Sequence, residues 1–147
     1  SWQKIDELKL RRTDFQLINI SPNEILVIGG KNHNGLNSKE NITDLVEIIN
    51  LKDFSKIKYD VKLKTPKLNF GACLLEIDQK EKKEKIKIIF IAGGYNGIEV
   101  LNSLEYFDSS LARWVQLANM PTRRKEFCLI ISNEGSLYLI GGVNEKE

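Results

Sequence analysis

Three short apolar runs in this chain end in a pair of glycines. They are Ile25-Leu26-Val27-Ile28-Gly29-Gly30, Ile88-Ile89-Phe90-Ile91-Ala92-Gly93-Gly94 and Leu137-Tyr138-Leu139-Ile140-Gly141-Gly142. Each is rich in the β-branched and aromatic residues that favour strands, and polar or glycine-containing turns separate it from its neighbours. In the first complete copy the runs predict strands near Phe15–Ile20, Ile25–Ile28, Leu45–Ile49 and Ile57–Leu63. A helix is the competing reading for two segments. Leu104, Phe107, Leu111, Trp114 and Ala118 fit one helix face, and Asp44-Leu45-Val46-Glu47 has the form of a capping box. The Asp108-Ser109-Ser110 break and the matched spacing described next favour strands, so the chain reads as all-β.

The flanks of the glycine pairs repeat as well. Trp2 is followed by Arg11-Arg12, Phe15 and Gly29-Gly30; Trp114 is followed at identical offsets by Arg123-Arg124, Phe127 and Gly141-Gly142. A middle copy is more degenerate. Tyr59 stands near the tryptophan position, Pro66 matches Pro121, and Phe70 leads to Gly93-Gly94. Its extra length is a charged insertion beginning at Asp78. After the glycines, Glu47 and Asn50 of the first copy match Glu105 and Asp108 of the second. A recurrence of this kind marks one structural unit used several times along the chain.

The pattern of glycine pair, tyrosine (Tyr95), Glu105-Tyr106-Phe107-Asp108 segment and Trp114 resembles the kelch repeat, across essentially the whole chain. That resemblance implies four-stranded antiparallel blades set around an axis, about 50 residues to a blade. Residues 1–12 are then an outer strand of a preceding blade, 13–66 a first copy, 67–122 a second and 123–147 a partial third. A closed propeller needs about four to eight blades. About three blades here lead us to expect a segment of a larger propeller, or closure by self-association. Repetition also suggests structural work for Gly29, Gly30, Gly93, Gly94, Gly141, Gly142, Trp2, Trp114, Glu47 and Glu105. The glycines suit a close backbone approach or a positive φ, and the tryptophans suit packing between blades. A repeated acid in a strand needs a partner if buried, and the arginine pairs are its natural counter-charges.

Composition narrows the function. Of 147 residues, 41% are apolar and 29% charged, which fits a globular domain rather than a disordered chain. Twenty-two Lys and Arg against 20 Asp and Glu leave a net charge of +2, so no broad field draws the chain to nucleic acid or membranes. No apolar run approaches the roughly 20 residues that span a bilayer. Cys73 and Cys128 lie in apolar stretches, as free thiols usually do, and suggest a reducing, cytoplasmic setting. The insertion from Asp78 to Lys87 carries five lysines against three acids with no aromatic or arginine between them, the composition of a solvated loop.

Catalysis needs a constellation of groups, and the chain shows none. His33 is the only histidine, so the copper site found in some kelch-fold enzymes lacks its ligands here, and neither a metal nor a cofactor is expected. By resemblance, the loops after the glycine pair and those joining blades form a recognition face. Its candidates are Asn32, His33, Asn34, Tyr95, Asn96, Val143 and Asn144, with Arg12 and Arg124 nearby. Tyr95 combines a rigid ring with a hydroxyl, the usual make-up of an interface anchor. Arg12 and Arg124 have two readings: forks for a partner's carboxylates, or ties inside the blades. The expected role is a non-catalytic module binding other proteins. The alternative is the targeting or regulatory propeller of a multidomain enzyme, such as a kelch-containing phosphatase or a ubiquitin-ligase subunit.

Overall fold

The computed structural model describes residues 8, 10–33, 41–53, 55–58, 61–79, 85–109 and 111–144. Trp2, Asn34, Tyr59 and the middle of the charged insertion lie outside the described residues. The strands in chain order are β1 (Arg12–Thr13), β2 (Gln16–Ser21), β3 (Glu24–Ile28), β4 (Lys31–Asn32), β5 (Val46–Asn50) and β6 (Lys56–Lys58). They continue with β7 (Gly71–Ile77), β8 (Ile86–Ala92), β9 (Leu104–Asp108), β10 (Arg113–Gln116), β11 (Lys125–Ile131) and β12 (Leu137–Val143). No helix occurs among the described residues, so the two segments with a helical alternative are strands: β5 covers one, and β9 with β10 the other.

Three antiparallel sheets follow one another as blades, and a separate two-stranded sheet pairs β1 with β4. The first is ordered β2-β3-β5-β6, the second β7-β8-β9-β10, and the third pairs β11 with β12. Each is a meander, so every hydrogen-bonded neighbour within a sheet is also the next of its strands in sequence. The first three expected strands of the first copy are found within one residue of their predicted ends, while the fourth, expected over Ile57–Leu63, is the shorter β6. Polar side chains cap the outer turns: Asn50 Oδ1 accepts from the Lys52 amide at 2.9 Å and Asp108 Oδ1 from the Leu111 amide at 3.3 Å.

The pleat then decides which side chains meet. In the second sheet, Ala72 lies across from Ile91 and Leu74 from Ile89 on one face, and Cys73 from Phe90 on the other. The first face packs on Ile18, Leu26 and Ile28 of the first sheet, with Phe70, Phe107 and Trp114 completing the core. The second face packs on Phe127, Leu129, Leu137 and Leu139 of the third sheet. Apolar residues on both faces of the inner strands follow from a sheet covered on two sides. This stacking of blades is the arrangement of a propeller segment.

The glycine pair is where one blade touches the next. Gly29 has φ 61°, and a Cβ there would stand 2.7 Å from the Lys67 carbonyl oxygen and 2.9 Å from the Phe70 ring. Only glycine accepts both constraints cheaply. The following glycine binds across the gap: the Gly30 amide donates to Lys67 O at 2.9 Å, and the Gly94 amide to Arg124 O at 2.9 Å. A second line of bonds runs beside this one. Asp14, Asn69 and Glu126, each immediately before a repeated phenylalanine, hold φ of 57°, 53° and 59°. The Asn69 amide donates to Asp14 O at 3.0 Å and the Glu126 amide to Asn69 O at 2.9 Å. Left-handed backbone costs a non-glycine residue about 1–2 kcal/mol, and here it continues one inter-blade ladder through three residue types.

Candidate functional site

The segments after the glycine pairs lie along this ladder. Lys31 of β4, with Asn32 beside it, stands opposite Thr13 of β1, Tyr95 bridges to Leu68, and Val143 stands opposite Lys125. Equivalent positions in three adjacent blades make one continuous rim. His33 is exposed on it, with Nε2 3.0 Å from Thr13 Oγ1 and its amide donating to Arg11 O at 3.0 Å. Val143 is exposed and Asn144 half-buried. Asn34 is outside the described residues.

The best-defined part of the rim is the loop from Tyr95 to Val100. Tyr95 is half-buried, and the Lys125 ammonium of the next blade lies 5.6 Å from its ring centroid, within cation–π range. Asn96 Oδ1 accepts from the amides of Ile98 and Glu99, at 2.9 Å each, so this side chain shapes the turn itself. Arg123 pairs with Glu99 and donates to Val100 O at 2.8 Å, bracing the far side. At the tip Ile98 is 85% exposed, more than any other large apolar side chain among the described residues. Sequence reasoning missed Ile98. Its signal was a branched apolar residue directly after Asn96-Gly97, where a turn ordinarily carries polar ones.

Arg12 is not on the rim. Its guanidinium is enclosed in the first blade, donating from Nη1 to the Gly29 and Leu45 carbonyls at 3.1 Å each and from Nη2 to Glu47 Oε2. Burial lowers its pKa from the usual arginine range, and the Glu47 charge pulls it back up. Its enclosed position corrects the reading of Arg12 as a fork held out to a partner. Arg124 is half-buried, donating from Nη1 to Gly141 O at 2.9 Å. That contact repeats the one from Arg12 to Gly29.

The second blade builds the same tie with a different cation. Lys67, fully buried, donates to Glu105 Oε1 at 2.8 Å and to Ser103 Oγ at 3.3 Å. A point charge reaches one carboxylate oxygen, and Glu105 Oε2 is left without a hydrogen-bond partner. Lys67 was also missed from sequence, although it precedes Phe70 by the interval that separates Arg12 from Phe15 and Arg124 from Phe127. On the opposite end of the blades, Lys85 pairs with Glu76 at 3.3 Å and Asp78 at 3.5 Å on an exposed hairpin.

Among the described residues no three His, Cys, Asp or Glu side chains gather as a metal site, and no helix is long and apolar enough to cross a membrane. What the rim offers chemically is a braced apolar tip beside an ion pair and a half-buried tyrosine.

Comparison with known proteins agrees with this architecture. Residues 87–121, which span β8 to β10 of the second blade, match the Kelch motif. Over 56 residues the chain is 38% identical to Kelch domain-containing protein 10 of Xenopus tropicalis, covering 37% of this chain and 14% of that protein. Over 63 residues it is 40% identical to F-box/kelch-repeat protein At3g27150 of Arabidopsis thaliana, covering 40% of this chain and 15% of that protein. The matched region thus spans only about a seventh of the length of either relative. The second meander thus carries a Kelch motif, and the two four-stranded meanders with their recurring glycine pair have the architecture of a kelch-type propeller segment.

Proposed function

We propose that the chain is a non-catalytic protein-interaction module that engages its partner through the Tyr95–Val100 rim. Ile98 carries this reading. An apolar side chain 85% exposed costs solubility, and this one sits on a turn held by Asn96 on one side and Arg123–Glu99 on the other. A tip fixed before binding loses little entropy on docking, so most of its burial goes into affinity. Asn32, His33, Asn144 and Arg124 lie along the same rim and would form a polar surround, the usual anatomy of an interface. The partner presents an apolar pocket with a polar border.

One relative joins a kelch repeat to an F-box by its name. That favours a second reading: the rim serves as the substrate-selecting part of a larger regulatory assembly. Both readings share one test. A photo-crosslinking amino acid is placed at position 98 and, as a control, at Leu111, which is exposed on an outer turn. In cells, position 98 should trap a discrete protein that position 111 does not. Equal trapping at both positions, or none at either, overturns the assignment of the rim.

A further inference from the structure

Asn96 and Gly97 open the turn that carries Ile98, and the turn is arranged for a reaction between them. An asparagine loses its side-chain amide when the backbone nitrogen of the following residue attacks Cγ. Three conditions govern that attack. The nitrogen must be free, the next side chain must not obstruct it, and the charge gathering on Oδ1 must be stabilised.

Asn96 meets all three. The Gly97 amide has no hydrogen-bond partner among the described residues. Gly97 holds φ 95° and has no Cβ to stand in the path. Asn96 Oδ1 accepts from the Ile98 and Glu99 amides at 2.9 Å each. Two backbone donors at that distance from an oxygen about to become negative have the geometry of an oxyanion hole. The turn is closed beneath them by the Asn96 amide donating to Glu99 O at 3.3 Å and by the Tyr95–Val100 bridge. Both donors are therefore in place before the charge builds.

Other asparagines lack this combination. Asn50 Oδ1 accepts from one amide, that of Lys52 at 2.9 Å, and the Leu51 amide that would attack is donating to Asn23 O at 2.7 Å. Asn69 and Asn102 donate their side-chain amides to Glu126 Oε1 at 3.4 Å and Met120 O at 3.3 Å, and Phe70 and Ser103 follow them. Asn34-Gly35 has the same sequence as Asn96-Gly97 and lies outside the described residues.

We infer that Asn96 is a site of spontaneous modification, converted in the folded chain to isoaspartate and aspartate. The Gly97 nitrogen gives up its proton and bonds to Cγ. The Cγ–Nδ2 bond breaks, and ammonia leaves with that proton, closing a succinimide. Water then opens the ring. Breaking the bond between Cγ and the Gly97 nitrogen gives aspartate, which keeps an acceptor for the Ile98 and Glu99 amides. Breaking the bond between the main-chain carbonyl and that nitrogen gives isoaspartate. Its main chain runs through the former side chain, a methylene longer, and displaces Oδ1 from the two amides. The tip is then released from its brace. With Ile98 as the anchor, a consequence that rests on the function proposed above, the conversion retires the binding rim with age.

The test incubates the folded chain at mildly alkaline pH and follows its peptides by mass spectrometry, with isoaspartyl methylation as a second readout. The Asn96 peptide should gain the mass difference between an acid and an amide several-fold faster than the peptides of Asn50, Asn69 and Asn102. It should do so at least as fast as a synthetic peptide of residues 92–101, which has the same sequence without the folded turn. Asn96→Ser should abolish the change, and amide exchange at Ile98 and Glu99 should quicken in the isoaspartate form. An Asn96 that keeps its amide in the folded chain while the synthetic peptide converts overturns the proposal. Conversion with undiminished crosslinking at position 98 supports the modification and counts against the rim alone.

Discussion

Among the described residues, the contact between the first and second blades is filled along its whole depth, whereas that between the second and third is filled only at its inner half. In the first contact Phe107 and Trp114, with ring centroids 5.3 Å apart, press against Ile28, Val46 and Val61. They leave a void of about 10 Å³, at the limit of what a water can occupy. In the second contact the equivalent residues Ala92, Leu104 and Ala118 line a cavity of about 420 Å³. The difference lies in the strands. Phe107 is on β9 and Trp114 on β10, and the third blade has only β11 and β12 among the described residues. Glycine, phenylalanine and the inter-blade amide bonds therefore need only a blade's two inner strands, while the outer half of each contact depends on its third and fourth.

The largest effect follows from the buried ties, which among the described residues are complete in the first two blades, where a third strand supplies the acid. Arg12→Ala leaves Glu47 buried without its cation and should cost about 3–5 kcal/mol in urea denaturation. Arg124→Ala, which removes a bond to one carbonyl, should cost about 1 kcal/mol. Equal losses would show that the buried Glu47 draws no stability from its cation. Next come the aromatic plugs. Phe107→Ala opens the filled contact and should cost about 3–5 kcal/mol. Ala118→Leu, facing the larger cavity, should change stability by less than about 1 kcal/mol.

The smallest effect concerns the cysteines. Cys73 packs against the third blade, and burial raises its thiol pKa from 9.0 to about 11. The folded state thus favours the neutral thiol more than the unfolded state does. This contribution is fully present below about pH 9 and is lost as pH rises through about 11. Denaturation midpoints should fall across that window, and the fall should be shallower in Cys73→Ala. Near pH 8 a thiol reagent should label exposed Cys128 at once and Cys73 only slowly.

Much of the fold was legible because blade strands announce themselves. Short branched apolar runs, turn residues and two glycines recur at matched intervals, and the stacking of sheets follows from apolar residues on both pleat faces. The ties were only half legible. Arg12 and Arg124 stood out as paired arginines, while Lys67 carries the same role with another side chain, and only its interval to Phe70 betrays it. The ladder of Asp14, Asn69 and Glu126 left still less trace, since three different residues share a backbone conformation that sequence associates with glycine. On the rim, Tyr95 and Asn96 drew notice as a tyrosine and a turn former. Their structural duties, a cation–π contact and a side-chain cap, depend on neighbours in space, and so does the exposure of Ile98.

Glycine-pair amides bind adjacent blades to one another and so hold the rim in place. Native-state hydrogen exchange at Gly30 and Gly94 tests it most directly, because their amides bind the Lys67 and Arg124 carbonyls of the next blade. Both should exchange only with global unfolding, far more slowly than the Ile98 amide on the loop. Exchange of Gly94 as fast as that of Ile98 would show blades that part on their own, and would contradict it.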